Sequence, residues 1–126
     1  MSNIRANTIS AANGTGPVAL TKQQAAKAWI NWNGESGSSI RDSFGVSGLV
    51  DHGTGNQTIS FSSAFTNNDY AMAGMGGNND TSLCCVTQPD NGFAASTTAV
   101  RHQTVYADGS VVDLQLVSTV YLGDLA

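Results

Sequence analysis

Carboxylate side chains are the first groups in this sequence to consider for chemistry, because a facing pair of them can cleave a glycosidic bond as acid and base. The chain has nine Asp and Glu residues. All but Asp42 and Asp113 fall in predicted turns or near the chain end, where Asp is favoured for backbone reasons. No spacing singles out an acid–base pair. The sequence therefore predicts no catalytic residue and a protein that is not an enzyme.

Histidine and cysteine are the remaining candidates for catalysis or metal binding. His52 and His102 are each isolated in the sequence, and both are predicted to be ordinary surface histidines. Cys84 and Cys85 are adjacent, so on a strand they point to opposite faces and cannot easily share a metal ion. We expect two reduced thiols here, with a strained vicinal disulfide as the alternative. No metal site and no cofactor are predicted.

Loops rich in Asn, Asp and Ser offer groups that can hydrogen-bond to sugar hydroxyls. Such loops follow the predicted strands at GGNNDTS and QPDNG. The alternative is that these segments are only turns, because Pro, Asn, Asp and Gly are favoured there for conformational reasons. The candidate receptor-binding residues in these loops are Asn78, Asn79, Asp80, Asp90 and Asn91.

The segment AWINWNG brings two tryptophans close together. If it forms a strand, Ile30 and Trp32 face the core with Ala28, whereas Trp29 faces the more polar side. A buried indole N–H needs an acceptor, and Asn31 is the nearby candidate. We favour a structural role for these aromatics over a ligand platform. The expected core or interface residues are Trp29, Trp32, Phe44 and Phe61.

The elements that must position these residues are predicted to be short strands. Only 11% of the residues are charged, about two fifths are Gly, Ser, Thr or Asn, and turn signals recur about every ten residues. This pattern is typical of a small antiparallel β-sandwich or barrel-like domain. Asp108-Gly109 predicts a hairpin, followed by a strand with Val112, Leu114 and Leu116 on one face. Residues 22–28 alone have helical propensity.

The chain is predicted to form one all-β domain over residues 23–126, preceded by a short N-terminal extension, residues 1–22. The net charge is −4, and the five basic residues are scattered, so nucleic acid is not an expected partner. No apolar run is long enough for membrane insertion.

Two stretches resemble bacteriophage fibre proteins. SNIRANTISAANGTGPVALTKQ resembles the start of small fibre proteins, and AKAWINWNGE to NNDYAM resembles a module of tail-fibre proteins from marine and cyanobacterial phages. The pattern of that module runs KAWVNFNG, IRDSFNVSS and D.GTG. Trp32 and Gln57 depart modestly from it. The matching residues are Lys27, Trp29, Asn31, Asn33, Gly34, Ile40, Arg41, Ser43, Phe44, Asp51, Gly53, Gly55, Phe61 and Tyr70.

This resemblance implies a homotrimeric tail-fibre protein of the virion. Residues 1–22 would contact other virion proteins, and the C-terminal half would bind a host-surface receptor such as a glycan. The N-terminus has no hydrophobic stretch like a secretory signal. The expected location is therefore the virion, after assembly in the host cytoplasm. The alternatives are a head fibre or capsid decoration protein, a free carbohydrate-binding lectin and, least favoured, a depolymerase.

Overall fold

The computed structural model describes residues 26–78, 81–89, 92–124 and 126, with only the backbone path described for residues 81–89. Every regular element in these ranges is a β-strand, which confirms the predicted all-β class. None of the described residues forms a helix that could cross a membrane. The strands are β1 (Ala26–Asn33), β2 (Ser39–Phe44), β3 (Val46–Asp51), β4 (Asn56–Phe61), β5 (Ala71–Asn78), β6 (Thr81–Pro89), β7 (Ala99–Val105) and β8 (Leu116–Leu122).

The strands are hydrogen-bonded in the order β2-β1-β8-β5-β6-β7-β4-β3, and every pairing is antiparallel. The first part of β6 pairs with β5 (Gly76↔Cys85), and its second part pairs with β7 (Val86↔Val105). β6 therefore belongs to two sheets. The first sheet contains β2, β1, β8 and β5, and the second contains β7, β4 and β3, consistent with the small β-sandwich predicted from the sequence.

Besides β6, the chain connects the two sheets at Gly45. This glycine is the single residue between β2 and β3, which are the first and last strands in the pairing order. Its φ angle is 68°, a left-handed conformation that favours glycine. A Cβ at this position would also collide with the backbone carbonyl oxygen of Lys27. The amide of Ser62 donates to the carbonyl oxygen of Gly45 (2.9 Å), which fixes the corner.

The core lies between the two sheets and is rich in aromatic rings. Ala28, Ile30 and Trp32 of β1 are buried, as their alternation predicts. Phe61 makes edge-to-face contacts with three other rings, at centroid distances of 4.9 to 5.5 Å. Such contacts add to the free energy gained from burying the rings. The three partner rings belong to Phe65, Tyr70 and Tyr121.

Residues 22–28 have helical propensity in the sequence, but those of them that the structure describes are in a strand. Residues 26–28 lie in β1, and the preceding residues are outside the described ranges. β1 pairs with β2 on one side and with β8 on the other. Hydrogen bonding to two neighbours outweighs a propensity worth a few tenths of a kcal/mol per residue.

The face predicted for the last strand is also wrong. The chain turns at Gly109, where the amide of Tyr106 donates to the carbonyl oxygen of Ser110 (2.9 Å). Only an isolated bridge, Val105↔Val111, follows this turn, and β8 begins five residues later. The break changes the alternation, so Leu116 is exposed. The buried residues of β8 are Val117, Thr119 and Tyr121.

Candidate functional site

The candidate functional surface is the face of the first sheet that points away from the core. We call this surface the open face. The register aligns Trp29 of β1 with Val120 of β8, and Val120 with Ala73 of β5. Two residues further along these strands, the aligned residues on the same face are Asn31, Ser118 and Met75. On the other side of β1, Phe44 lies opposite Trp29 and Asp42 lies opposite Asn31.

A shallow groove of about 500 Å³ follows these rows, with Trp29, Ala73, Met75 and Val120 in its lining. Met75 is 73% exposed and Phe44 is 58% exposed. Large apolar side chains that share one surface and remain this accessible mark sites of protein or ligand contact. The open face is therefore suited to binding by apolar contact.

Polar groups lie at one end of the open face. The side-chain amide of Asn31 donates to Ser118 Oγ (2.7 Å), which leaves Asn31 Oδ1 and the Ser118 hydroxyl proton available to a partner. The guanidinium of Arg41 donates to the carbonyl oxygen of Gln115 (2.8 Å). Asp42 Oδ1 accepts the amide of Ser43 (2.8 Å). These groups can orient a bound partner by hydrogen bonds and charge.

The four aromatic residues expected in the core or an interface have different positions. Trp32 and Phe61 are buried in the core. Trp29 is half-buried and lines the groove of the open face. Phe44 is mostly exposed, so it is not a core residue.

Asn31 is not the hydrogen-bond partner of the buried indole. Asn31 and Trp32 are neighbours on one strand, so their side chains point to opposite faces. Asn31 is bonded to Ser118 instead. Trp32 Nε1 is buried and has no hydrogen-bond partner among the residues that the structure describes.

His102 is the principal residue that the sequence analysis misplaced, because it is fully buried and is not a surface histidine. Its Nε2 atom lies 2.7 Å from the hydroxyl oxygen of Tyr121. Burial lowers the pKa of His102 to about 4 and raises that of Tyr121. The alternation of Val100, His102 and Thr104 in β7 was the available signal, since Val100 fixes which side faces inward.

Gln57 is the second buried polar residue that the sequence analysis missed. It lies opposite His102 in the register of β4 and β7, and its side chain is inaccessible to solvent. Neither Gln57 Nε2 nor Gln57 Oε1 has a hydrogen-bond partner within the described part of the chain. His102 Nδ1 is likewise buried without a partner among the described residues. The core therefore contains a polar pair beside the aromatic cluster.

The candidate receptor-binding loops can be checked only at Asn78. Asn78 Oδ1 accepts the amide of Gln115 (2.8 Å), so this side chain holds the segment that leads into β8. Its other groups remain available to a ligand. The other predictions concern parts of the chain that the structure does not describe, namely Asn79, Asp80, Asp90, Asn91, the N-terminal extension and the side chains of Cys84 and Cys85.

Several carboxylates have the backbone roles expected of turn residues. Asp51 Oδ1 accepts the amide of Gly53 (2.8 Å). Asp108 Oδ1 accepts the amide of Ser110 (2.9 Å) and its hydroxyl, and these bonds lower the pKa of Asp108. Asp113, which was not assigned to a turn, accepts the amide of Gly55 at 2.6 Å. No group of three or more His, Cys, Asp or Glu residues in the described ranges could hold a metal ion.

Residues that match the fibre-module pattern have clear structural roles. Asn33 Oδ1 accepts the amide of Glu35 (3.0 Å), and Gly34 donates its amide to the carbonyl oxygen of Leu114 (2.8 Å). At Gly55 a Cβ would lie 2.8 Å from two backbone carbonyl oxygens, so a side chain cannot be accommodated there.

No protein-family model, curated protein or solved structure matches the chain.

Proposed function

We propose that the protein is a tail-fibre component of a bacteriophage virion and contributes to attachment to the host surface. The observation that carries this proposal is the fibre-module pattern itself, whose residues include turn and core positions of the fold. Asn33, Gly34 and Gly55 shape turns or close backbone contacts, and Phe61 and Tyr70 are buried together. A pattern whose residues occupy turn and core positions supports a shared module better than a match at positions without structural roles.

Binding by such a protein depends on the number of copies as well as on each site. In a homotrimer, three weak sites act together, because after the first contact the second and third are governed by an effective concentration. Residues 1–22 would join the trimer to other virion proteins, and the C-terminal half would meet a host receptor such as a surface glycan. This arrangement needs neither a cofactor nor a catalytic residue.

Gold-labelled antibody against the purified protein tests the location on intact virions by electron microscopy. We expect label at the tail, and particles incubated with pre-immune serum provide the control. Label on the head would replace the tail-fibre proposal with a head fibre or capsid decoration protein. Label found only in the soluble fraction of the lysate, together with binding to soluble glycans, would support the free lectin instead.

A further inference from the structure

The open face has the composition of a contact surface. Its central row is Phe44, Trp29, Val120 and Ala73, with no charged residue among them. Met75 in the next row is the most exposed large apolar side chain of the described residues. A partner that covers this face must itself be largely apolar at the point of contact.

The area of the open face decides how much of it a stable interface between folded proteins must cover. Four strands spaced by about 4.8 Å and seven residues at about 3.3 Å each give a flat area of roughly 440 Å². The accessible surface of the side chains exceeds this flat projection. A standard interface buries about 800 Å² on each partner, so most of this face has to be covered for a stable contact.

The charges at the polar end favour a second copy of this chain as the partner. Arg41 is the unpaired residue of a β-bulge next to Asp42, so the usual alternation of faces is broken there, and the two residues are exposed and opposite in sign. Their contacts within the described residues are hydrogen bonds to backbone groups, and neither forms an ion pair there. Another copy presents the same two charges, so Arg41 of one copy can pair with Asp42 of the next. A strongly acidic or basic partner would leave one of the two repelled.

We infer that the open face is the surface through which copies of this chain associate. The inference rests on the homotrimer of the proposed function and adds the surface that it uses. Trp29, Phe44 and Met75 lie at the apolar centre of the contact, and Arg41 and Asp42 lie at its polar edge. A contact from Arg41 of each copy to Asp42 of the next is head-to-tail, and around a three-fold axis such contacts close into a ring of three.

Charge substitutions at exposed positions of the open face test this inference on the full-length protein. Met75→Glu and Phe44→Glu place a carboxylate on the contact surface without entering the core, because both positions are mostly exposed. Val50→Glu is the matched control, since Val50 is 49% exposed on β3 of the second sheet. Light scattering after size-exclusion chromatography gives the mass, and circular dichroism confirms that each variant is folded.

We expect the wild type and Val50→Glu to have about three times the 13.0 kDa chain mass. Folded Met75→Glu and Phe44→Glu should shift towards 13.0 kDa, with an at least tenfold weaker association on dilution. A wild-type trimer that both open-face variants retain would overturn the inferred surface but leave the trimer intact. Dissociation caused equally by Val50→Glu would also overturn it.

A monomeric wild type would overturn the inference without bearing on the virion location, which the antibody labelling tests separately. In that case quenching of tryptophan fluorescence by iodide distinguishes the other occupants of the face. Strong quenching of Trp29, measured against Trp29→Phe, would show an uncovered face. Weak quenching of Trp29 in the monomer would indicate that residues 1–25 of the same chain cover the open face.

Discussion

At the scale of single residues, the polar pair in the core is the most informative feature. His102 and Gln57 face inward from adjacent strands, and only one side-chain atom of the pair, His102 Nε2, has a hydrogen-bond partner among the described residues. An isolated buried polar group typically costs about 1–3 kcal/mol. This part of the core is therefore expected to be sensitive to pH and tolerant of an apolar replacement.

The neutral form of His102 should make folding stability depend on pH. Its pKa is about 4 in the folded protein and about 6.5 in the unfolded chain. The unfolded state therefore takes up a proton first, and the free energy of unfolding decreases as the pH falls from about 6.5 to about 4. The loss is on the order of 3 kcal/mol and is complete below pH 4. Above pH 6.5 this residue should cause no change.

Urea unfolding between pH 7 and pH 4.5 measures this effect. The decrease in the free energy of unfolding with falling pH that His102 causes should disappear in His102→Gln and persist in His52→Gln. His52 is the control because it is an exposed histidine, with Nε2 3.0 Å from Thr58 Oγ1. An equal slope in the wild type and in His102→Gln would mean that other groups, such as the carboxylates, account for the pH dependence.

Gln57→Leu should increase the free energy of unfolding by about 1 kcal/mol, because it removes a buried amide without a partner among the described residues. Chemical denaturation at pH 7 measures the change. Gln103→Leu is the matched control, since Gln103 is half-buried and its amide lies 3.4 Å from Asn56 Oδ1. A loss of stability in Gln57→Leu larger than that in Gln103→Leu would show that the buried amide is hydrogen-bonded in solution.

At the scale of elements, alternation predicted β1 correctly and failed for β8. The inward positions Ala28, Ile30 and Trp32 follow from an uninterrupted period of two. The segment after Gly109 appears equally regular in the sequence, but it pairs with β7 only at Val111 before it joins the first sheet. A sequence period cannot reveal a change of partner strand within one apolar run.

Gly45→Ala should destabilise the protein by more than about 2 kcal/mol. The substitution adds the cost of a left-handed conformation, about 1–2 kcal/mol, to a collision with the carbonyl oxygen of Lys27. Thermal unfolding measures the effect. Gly48→Ala in β3 is the control, because its added Cβ has no atom of the described residues within 4 Å. Equal melting temperatures for the two variants would contradict the role of Gly45 as the fixed corner.

At the scale of the whole molecule, composition and turn spacing were sufficient for the fold class but not for the order of the strands. The order depends on which distant segments pair, and Ile30 of β1 lies opposite Thr119 of β8. Local patterns contain no information about a partner 89 residues away. The open face was equally hidden, because its rows draw residues from four strands that the sequence separates.

The position of β8 has a consequence for how the protein is made. β8 lies between β1 and β5 and donates or accepts ladder hydrogen bonds on both sides. While the ribosome is still synthesising the chain, β1 and β5 are present but the strand that separates them is not. The first sheet can close only after residue 122 has left the exit tunnel. The first sheet therefore forms late relative to the synthesis of its own strands and, because its contacts are distant in sequence, slowly.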